Sequence, residues 1–154
     1  MAVAIDSDVP DFTAAATGGD FTLSTHRGKT VVLYFYPKDD TPGCTTEGRD
    51  FAASSAKFTK ANVVIAGVSR DSVKSHEGFK AKMKFPFELI SDPDEKLCEL
   101  FGVMKMKNMY GRQVRGVERS TFVIDGSGRL RKEWRGVKVP NHVDQVLAFT
   151  QSLA

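Results

Sequence analysis

The stretch Val31-Val32-Leu33-Tyr34-Phe35-Tyr36-Pro37-Lys38-Asp39-Asp40-Thr41-Pro42-Gly43-Cys44-Thr45-Thr46-Glu47 decides the fold. It opens with six apolar or aromatic residues in a row, which reads as a strand buried on both faces. Pro37 ends that strand, because it has no amide hydrogen to give to a ladder. From Thr41 the grammar becomes that of a helix start. Thr41 suits the N-cap, and Pro42 suits the first helical position, where a missing N–H costs nothing. Cys44 then falls in the first turn, where free amides and the positive end of the helix dipole favour an anion. A thiol placed there is more easily held as thiolate, the nucleophilic form. The stretch therefore predicts an activated cysteine at a strand-to-helix junction.

Working outward, Phe12-Thr13 and Phe21-Thr22-Leu23 flank Thr17-Gly18-Gly19-Asp20 and read as a short N-terminal hairpin. The helix begun at Thr41 carries Phe51, Ala52 and Phe58 inward and should run until just before Asn62. Gly48 in its body weakens it by roughly 1 kcal/mol against alanine, consistent with a helix able to unwind. Val63 to Ser69 is a second buried strand, and Asp71-Ser72-Val73 opens a helix to about Met83 that buries Val73, Phe79 and Met83. Phe87 to Ile90 is a short strand, and Ser91 to Asp94 cap a helix from Glu95 to Phe101. Val103 to Gly116, polar and basic, reads as a loop with limited strand character. Ser120 to Asp125 is a third strong strand, folded back by Asp125-Gly126-Ser127-Gly128 onto Leu130 to Val137. Pro140 to Val143 open a last amphipathic helix with Val143, Val146, Leu147 and Phe149 inward. This order gives an α/β chain, a central mixed β-sheet flanked by helices, in the thioredoxin-like layout with an N-terminal β-hairpin.

At 154 residues, with 41% hydrophobic and 27% charged residues, residues 1–154 are expected to form a single domain. Residues 1–24 hold four aspartates and no Lys or Arg, whereas 102–139 hold ten Lys and Arg against three acids. No stacking-aromatic pattern accompanies that basic region, so a solvated face is expected rather than nucleic-acid binding. Two cysteines make no disulfide scaffold. Met1 to Asp8 lack the basic and apolar regions of a signal peptide, and no apolar run reaches the roughly 18 residues of a membrane span. A reducing cytoplasm is the expected compartment. His26, His76 and His142 stand apart from any carboxylate or cysteine at ligand spacing, so no metal is expected.

Pro37, Thr41 and Cys44, spaced as Pro-Xaa3-Thr-Xaa2-Cys, match the peroxidatic motif of the peroxiredoxins. The thirteen residues from Phe35 to Glu47 resemble the bacterioferritin-comigratory-protein (PrxQ) branch of that family, and the likeness runs from about Val9 to the last helix. The resemblance implies a thiol-dependent peroxidase without a cofactor. Cys44 would attack the terminal oxygen of hydrogen peroxide or an organic hydroperoxide and become a sulfenic acid. Thr41 can serve as plain N-cap, as pocket hydroxyl, or as both, and the first-turn amides of Gly43 and Cys44 would meet the developing charge. Pro37 and Pro42 offer apolar cover without spare donors. Arg119, in Gly116-Val117-Glu118-Arg119-Ser120-Thr121-Phe122, is similar to the family's active-site arginine, whose permanent charge and planar fork suit a thiolate. Glu47 matches the carboxylate that holds that arginine, and reads equally as a solvated helix glutamate.

Cys98 has two readings. The family often places a resolving cysteine five residues after the peroxidatic one, where this chain has Arg49, or on the helix between Ser72 and Met83, which has none. Cys98 is either a resolving thiol elsewhere or a packed helix cysteine, and a bond to Cys44 would need Cα atoms within roughly 7 Å. The expectation is a one-cysteine cycle recycled by thioredoxin, glutaredoxin or a small thiol, in a monomer or weak dimer. Two rivals stand beside it. A disulfide oxidoreductase wants Cys-Xaa-Xaa-Cys, but Thr41 and Glu47 occupy both partner positions. A non-enzymatic redox sensor or chaperone-like module would stop near one equivalent of peroxide. The Met104 to Met109 cluster, Tyr110 and Trp134 read either as part of the surface near the pocket or, the preferred reading, as core packing or loop cover.

Overall fold

Thr30–Phe35 (β3) lies at the centre of a five-stranded sheet, as its continuous apolar run requires. The computed structural model describes residues 2–153, Met109 by its main chain only. The sheet is completed by Val63–Ser69 (β4), Glu88–Ser91 (β5), Ser120–Ile124 (β8) and Leu130–Trp134 (β9), in the order β5-β4-β3-β8-β9. β3 runs parallel to β4 and antiparallel to β8, so the sheet is mixed. Thr13–Ala14 (β1) and Phe21–Thr22 (β2) pair as the N-terminal hairpin.

Alternate residues along β3 and on to Tyr36, which follows it, face two different cores. Val31, Leu33 and Phe35 join Phe122, Ile124, Leu97, Cys98 and Phe101 on one side. Val32, Tyr34 and Tyr36 join Cys44, Phe51, Phe58, Phe79 and Val146 on the other. The second face is covered by Pro42–Ala53 (α1), Ser55–Lys60 (α2), Val73–Met83 (α3) and His142–Leu153 (α5). The first is covered by Lys96–Leu100 (α4) and by Val9, Ala16, Phe21 and Leu23 of the N-terminal segment. The Asp92 carboxylate starts α4 by accepting from the amides of Leu97 and Cys98 at 3.1 and 2.8 Å.

Two expectations are corrected. The single helix expected up to Asn62 is two. At Ser54 (φ −100°, ψ 5°) the backbone leaves the helical path, and its amide turns to the carbonyls of Asp50 and Phe51. The kink lets Phe51 and Phe58, both fully buried, pack against the same sheet face. The supposed loop at 103–116 is a regular hairpin, Met104–Met109 (β6) against Arg112–Val117 (β7). Tyr110 and Gly111 close it with positive φ at both positions (54° and 78°), the two-residue turn that suits twisted strands. Tyr110, at its tip, is 99% exposed and so covers nothing in the core.

Candidate active site

The site forms where β3 ends and β8 begins. Phe35 pairs with Ser120, so the chain leaving β3 and the residue entering β8, Arg119, lie side by side at one end of these two inner strands. α1 starts in the same place, and Cys44 is its third residue. The sulfur lies in a tight slot, and Cys44 is 2% exposed. The Arg119 guanidinium spans the slot: Nη2 is 3.3 Å from Cys44 Sγ, and Nη1 donates to Glu47 Oε1 at 2.6 Å. Glu47 is one helical turn beyond Cys44 and fully buried, so it is not a solvated helix glutamate. Gly43 makes room for the guanidinium, since a Cβ there would sit 3.1 Å from Nη2. Cys44, Glu47 and Arg119 are brought together in space.

Burial pushes the Glu47 carboxyl up to about 7; the charge and hydrogen bond of Arg119 oppose this, and Asp50 adds to it. Burial works against the Arg119 charge, but Glu47 and Cys44 outweigh it and hold the guanidinium above its ordinary value. Glu47 Oε2 and Tyr34 Oη are buried with no hydrogen-bond partner among the described residues. His142 accompanies the site from α5. Its Nε2 lies 2.8 Å from Thr121 Oγ1, and burial, then the Arg119 charge, push it down to about 4.

Thr41 is the N-cap residue of α1, but its side chain makes no cap hydrogen bond; Oγ1 donates to the Lys38 carbonyl at 2.8 Å. Its hydrogen being spent, what the hydroxyl offers the pocket is an acceptor oxygen. The amide of Thr45 closes the first helical bond on the Thr41 carbonyl at 2.8 Å, which leaves those of Gly43 and Cys44 ahead of the ladder. Pro42 is exposed at the first helical position and Pro37 is half-buried. Cys98 is fully buried on the opposite face of the sheet from Cys44. Burial, then the Asp92 carboxylate, push its thiol well above the usual range, the setting of an inert packed thiol. Both cysteines are free.

The residues read singly from the sequence conceal one cluster. Asp39, Asp71 and His76 bring possible ligand atoms within 4.8 Å of one another. His76 Nδ1 and Asp39 Oδ2 are 2.7 Å apart, a hydrogen-bond distance. Two ligands on one tetrahedral zinc would stand about 3.3 Å apart, so the arrangement is a hydrogen-bonded network rather than a cation cage. Its only sequence signal is that Asp39 lies five residues before Cys44; His76 comes from α3 and Asp71 from the turn just before it.

A thioredoxin-like sheet that carries a cysteine at the start of a helix, beside a guanidinium that touches its sulfur, defines a thiol-based redox enzyme. Residues 5–133 match the AhpC/TSA family. The chain is 56% identical over 145 residues to Peroxiredoxin Bcp of Xanthomonas campestris, covering 94% of this chain and 91% of that protein. It is 49% identical to Peroxiredoxin Bcp of Bacillus subtilis over 100% of this chain and 99% of that protein. Among solved structures, a cysteine-to-serine mutant of Xylella fastidiosa PrxQ superposes with a TM-score of 0.93 at 42% identity, covering 99% and 98% of the two chains. Xanthomonas campestris Peroxiredoxin Q gives 0.87 at 54% identity, covering 92% and 90%. The chain belongs to the AhpC/TSA family, in its Bcp (PrxQ) branch of peroxiredoxins. It is a thiol-dependent peroxidase. No helix among the described residues is long and apolar enough to cross a membrane.

Proposed function

We propose that Cys44 is the peroxidatic thiol, acting on hydrogen peroxide and organic hydroperoxides. The observation that carries this is the single guanidinium of Arg119 touching both Cys44 Sγ and Glu47 Oε1. Glu47 fixes the fork, and the fork favours a sulfur anion. The thiolate attacks the terminal peroxide oxygen, the O–O bond breaks, and the sulfur becomes sulfenic acid. The departing alkoxide or hydroxide takes a proton and leaves as alcohol or water. The Arg119 fork and the leading amides of α1 face the charge that develops on the two oxygens, while Thr41 Oγ1 accepts the hydrogen of the incoming peroxide. Pro37 and Pro42 bring no donors that would compete for the sulfur.

An external thiol, supplied by thioredoxin, glutaredoxin or a small molecule in a reducing cytoplasm, then attacks the sulfenic sulfur and releases water. A second thiol cleaves the mixed disulfide and restores Cys44. Support for a one-cysteine cycle is that Cys98 packs behind the sheet. The enzyme is read as a single domain working as a monomer or weak dimer. Consumption of peroxide in the presence of excess thiol tests the reading. Cys44→Ser should abolish turnover, and a Cys44→Ser protein that still consumes many equivalents would overturn it. An Alkyl Peroxide Reduction Activity is named for the Xanthomonas campestris bacterioferritin comigratory protein, 53% identical to this chain, which supports the organic-hydroperoxide arm.

A further inference from the structure

The loop 37–41, which delivers Thr41 and then Cys44, is tied to α3 by a buried polar network that the peroxide chemistry does not consume. Asp39 sits at its centre. Its Oδ1 accepts from Tyr36 Oη at 2.6 Å, and its Oδ2 accepts from Ser75 Oγ at 2.8 Å. Oδ2 also lies 2.7 Å from His76 Nδ1. The Asp39 amide donates to Asp71 Oδ2 at 3.0 Å, and Ser69 Oγ donates to the same oxygen at 2.5 Å. Behind the ring, His76 Nε2 meets the Ile90 carbonyl at 2.9 Å. The Asp39 and His76 side chains are 4% and 0% exposed.

The partners fix the proton count. A carbonyl only accepts, so Nε2 carries a hydrogen. An attractive contact on the other side needs a further proton between Nδ1 and Oδ2. One shared hydrogen between Nδ1 and Oδ2 closes the 2.7 Å contact, so ring and carboxyl are joined directly. Burial alone would raise the Asp39 carboxyl, but the hydrogen bonds from His76 and Tyr36 outweigh it and hold it below its ordinary value. Outside the pair, Lys82 Nζ donates to Asp40 at 2.9 Å, a second and exposed tie from α3 to the loop. Asp40 itself has a positive φ of 60°, a backbone conformation that neighbouring contacts must maintain.

We propose that Asp39 and His76 are positioning residues for peroxide reduction: their clasp fixes the loop 37–41 on α3 and thereby sets Thr41 and the start of α1 around Cys44. The geometry leaves few other anchors. Thr41 Oγ1 hangs on the Lys38 carbonyl, one residue from Asp39, so any shift of the loop moves the acceptor oxygen with it. Displacement of a reacting group by about 1 Å is enough to cost up to roughly a hundred-fold in rate. The inference rests on the reading of Cys44 as the nucleophile.

The test compares variants that break the clasp with one that keeps half of it. His76→Leu removes both donors, Ser75→Ala removes one hydroxyl, and His76→Asn leaves an amide where Nδ1 stood. Three quantities would be measured on folded protein: the rate of Cys44 with hydrogen peroxide, its alkylation by iodoacetamide, and amide exchange at residues 38–45. Alkylation needs the thiolate and access to it but no aligned acceptor, whereas peroxide also needs Thr41 and the α1 amides held in place by the loop. His76→Leu should slow the peroxide reaction by about ten-fold or more while changing alkylation by less than about three-fold, with faster exchange in the loop. His76→Asn should recover most of the peroxide rate. Equal losses in both reactions, or rates and exchange unchanged in His76→Leu, would overturn the proposal. If His76→Leu does not fold, Ser75→Ala decides: slower peroxide reaction with faster loop exchange supports the clasp, and no change in either refutes it. The exchange measurement involves no chemistry at sulfur, so a failure of the Cys44 assignment is recognised separately, by peroxide turnover that survives Cys44→Ser.

Discussion

Glu47 and Arg119 are 72 residues apart in the chain and 2.6 Å apart in the fold, with the carboxylate fully buried and the guanidinium side chain 16% exposed. The contact leaves the other end of the fork on Cys44. Removing Glu47 leaves the guanidinium without its buried acceptor, and removing Arg119 leaves the buried carboxyl without its donor, each costlier than losing a surface pair. Arg119→Met should lower the rate of Cys44 with peroxide by about a hundred-fold or more. Arg119→Lys keeps the charge but not the planar fork, and should remain at least about ten-fold below wild type. Competition kinetics against a second peroxidase would read both, and a wild-type rate in Arg119→Lys would show that bidentate geometry is unimportant.

The Glu47 carboxyl, raised from 4.5 to about 7, makes stability depend on pH with a definite sign. Between those values the folded state holds a proton that the unfolded chain has released. The contribution is therefore complete below about pH 4.5 and is lost as pH rises through 7, a swing of about 3 kcal/mol. Chemical denaturation of wild type and Glu47→Gln across pH 4 to 8 would measure it. The wild type should lose ground to Glu47→Gln as pH rises, and parallel curves would contradict the burial of this carboxyl.

Gly48 is a packing requirement. A Cβ at this position would lie 2.4 Å from Phe85 Cζ, closer than any real contact. Gly48→Ala gains up to about 1 kcal/mol of helix propensity yet should destabilise by roughly 1–3 kcal/mol through overpacking. Gly48→Ala with Phe85→Leu should recover most of the loss, which thermal unfolding would show.

Cys98→Ser should leave peroxide turnover with an external thiol within about two-fold of wild type, because the residue lies behind the sheet, and should cost about 1–2 kcal/mol for placing a hydroxyl in an apolar core. Mass spectrometry after one equivalent of peroxide should find the sulfenic acid of Cys44 or its adducts. A dominant intramolecular bond between residues 44 and 98 would reject the one-cysteine cycle.

Much of this molecule is legible in its sequence, for identifiable reasons. β3, β4 and β8 are buried on both faces, so continuous apolar runs betray them. Cys44 stands out because helix-start residues surround it. Arg119 is not singled out by local pattern; only the family likeness picks it from the other cations. The hairpin of β6 and β7 escapes notice because its alternating Met and Lys lack β-branched types, and its turn residues are Tyr110 and Gly111 rather than Asn-Gly. Gly48 looks like a weak point until Phe85, 37 positions on, fills the space beside it. The Asp39 and His76 pairing joins a loop to a helix across 37 residues, a relationship no local window contains.

The placement of the two thiols on opposite sides of β3 has a consequence for where oxidation goes. The sheet stands between them, and in the proposed one-cysteine cycle no internal cross-link banks the two oxidising equivalents taken from a peroxide. Each turnover of that proposed cycle would be discharged to another molecule before the next begins. On that reading the supply of the acceptor, rather than a rearrangement inside the chain, sets how long the protein remains oxidised.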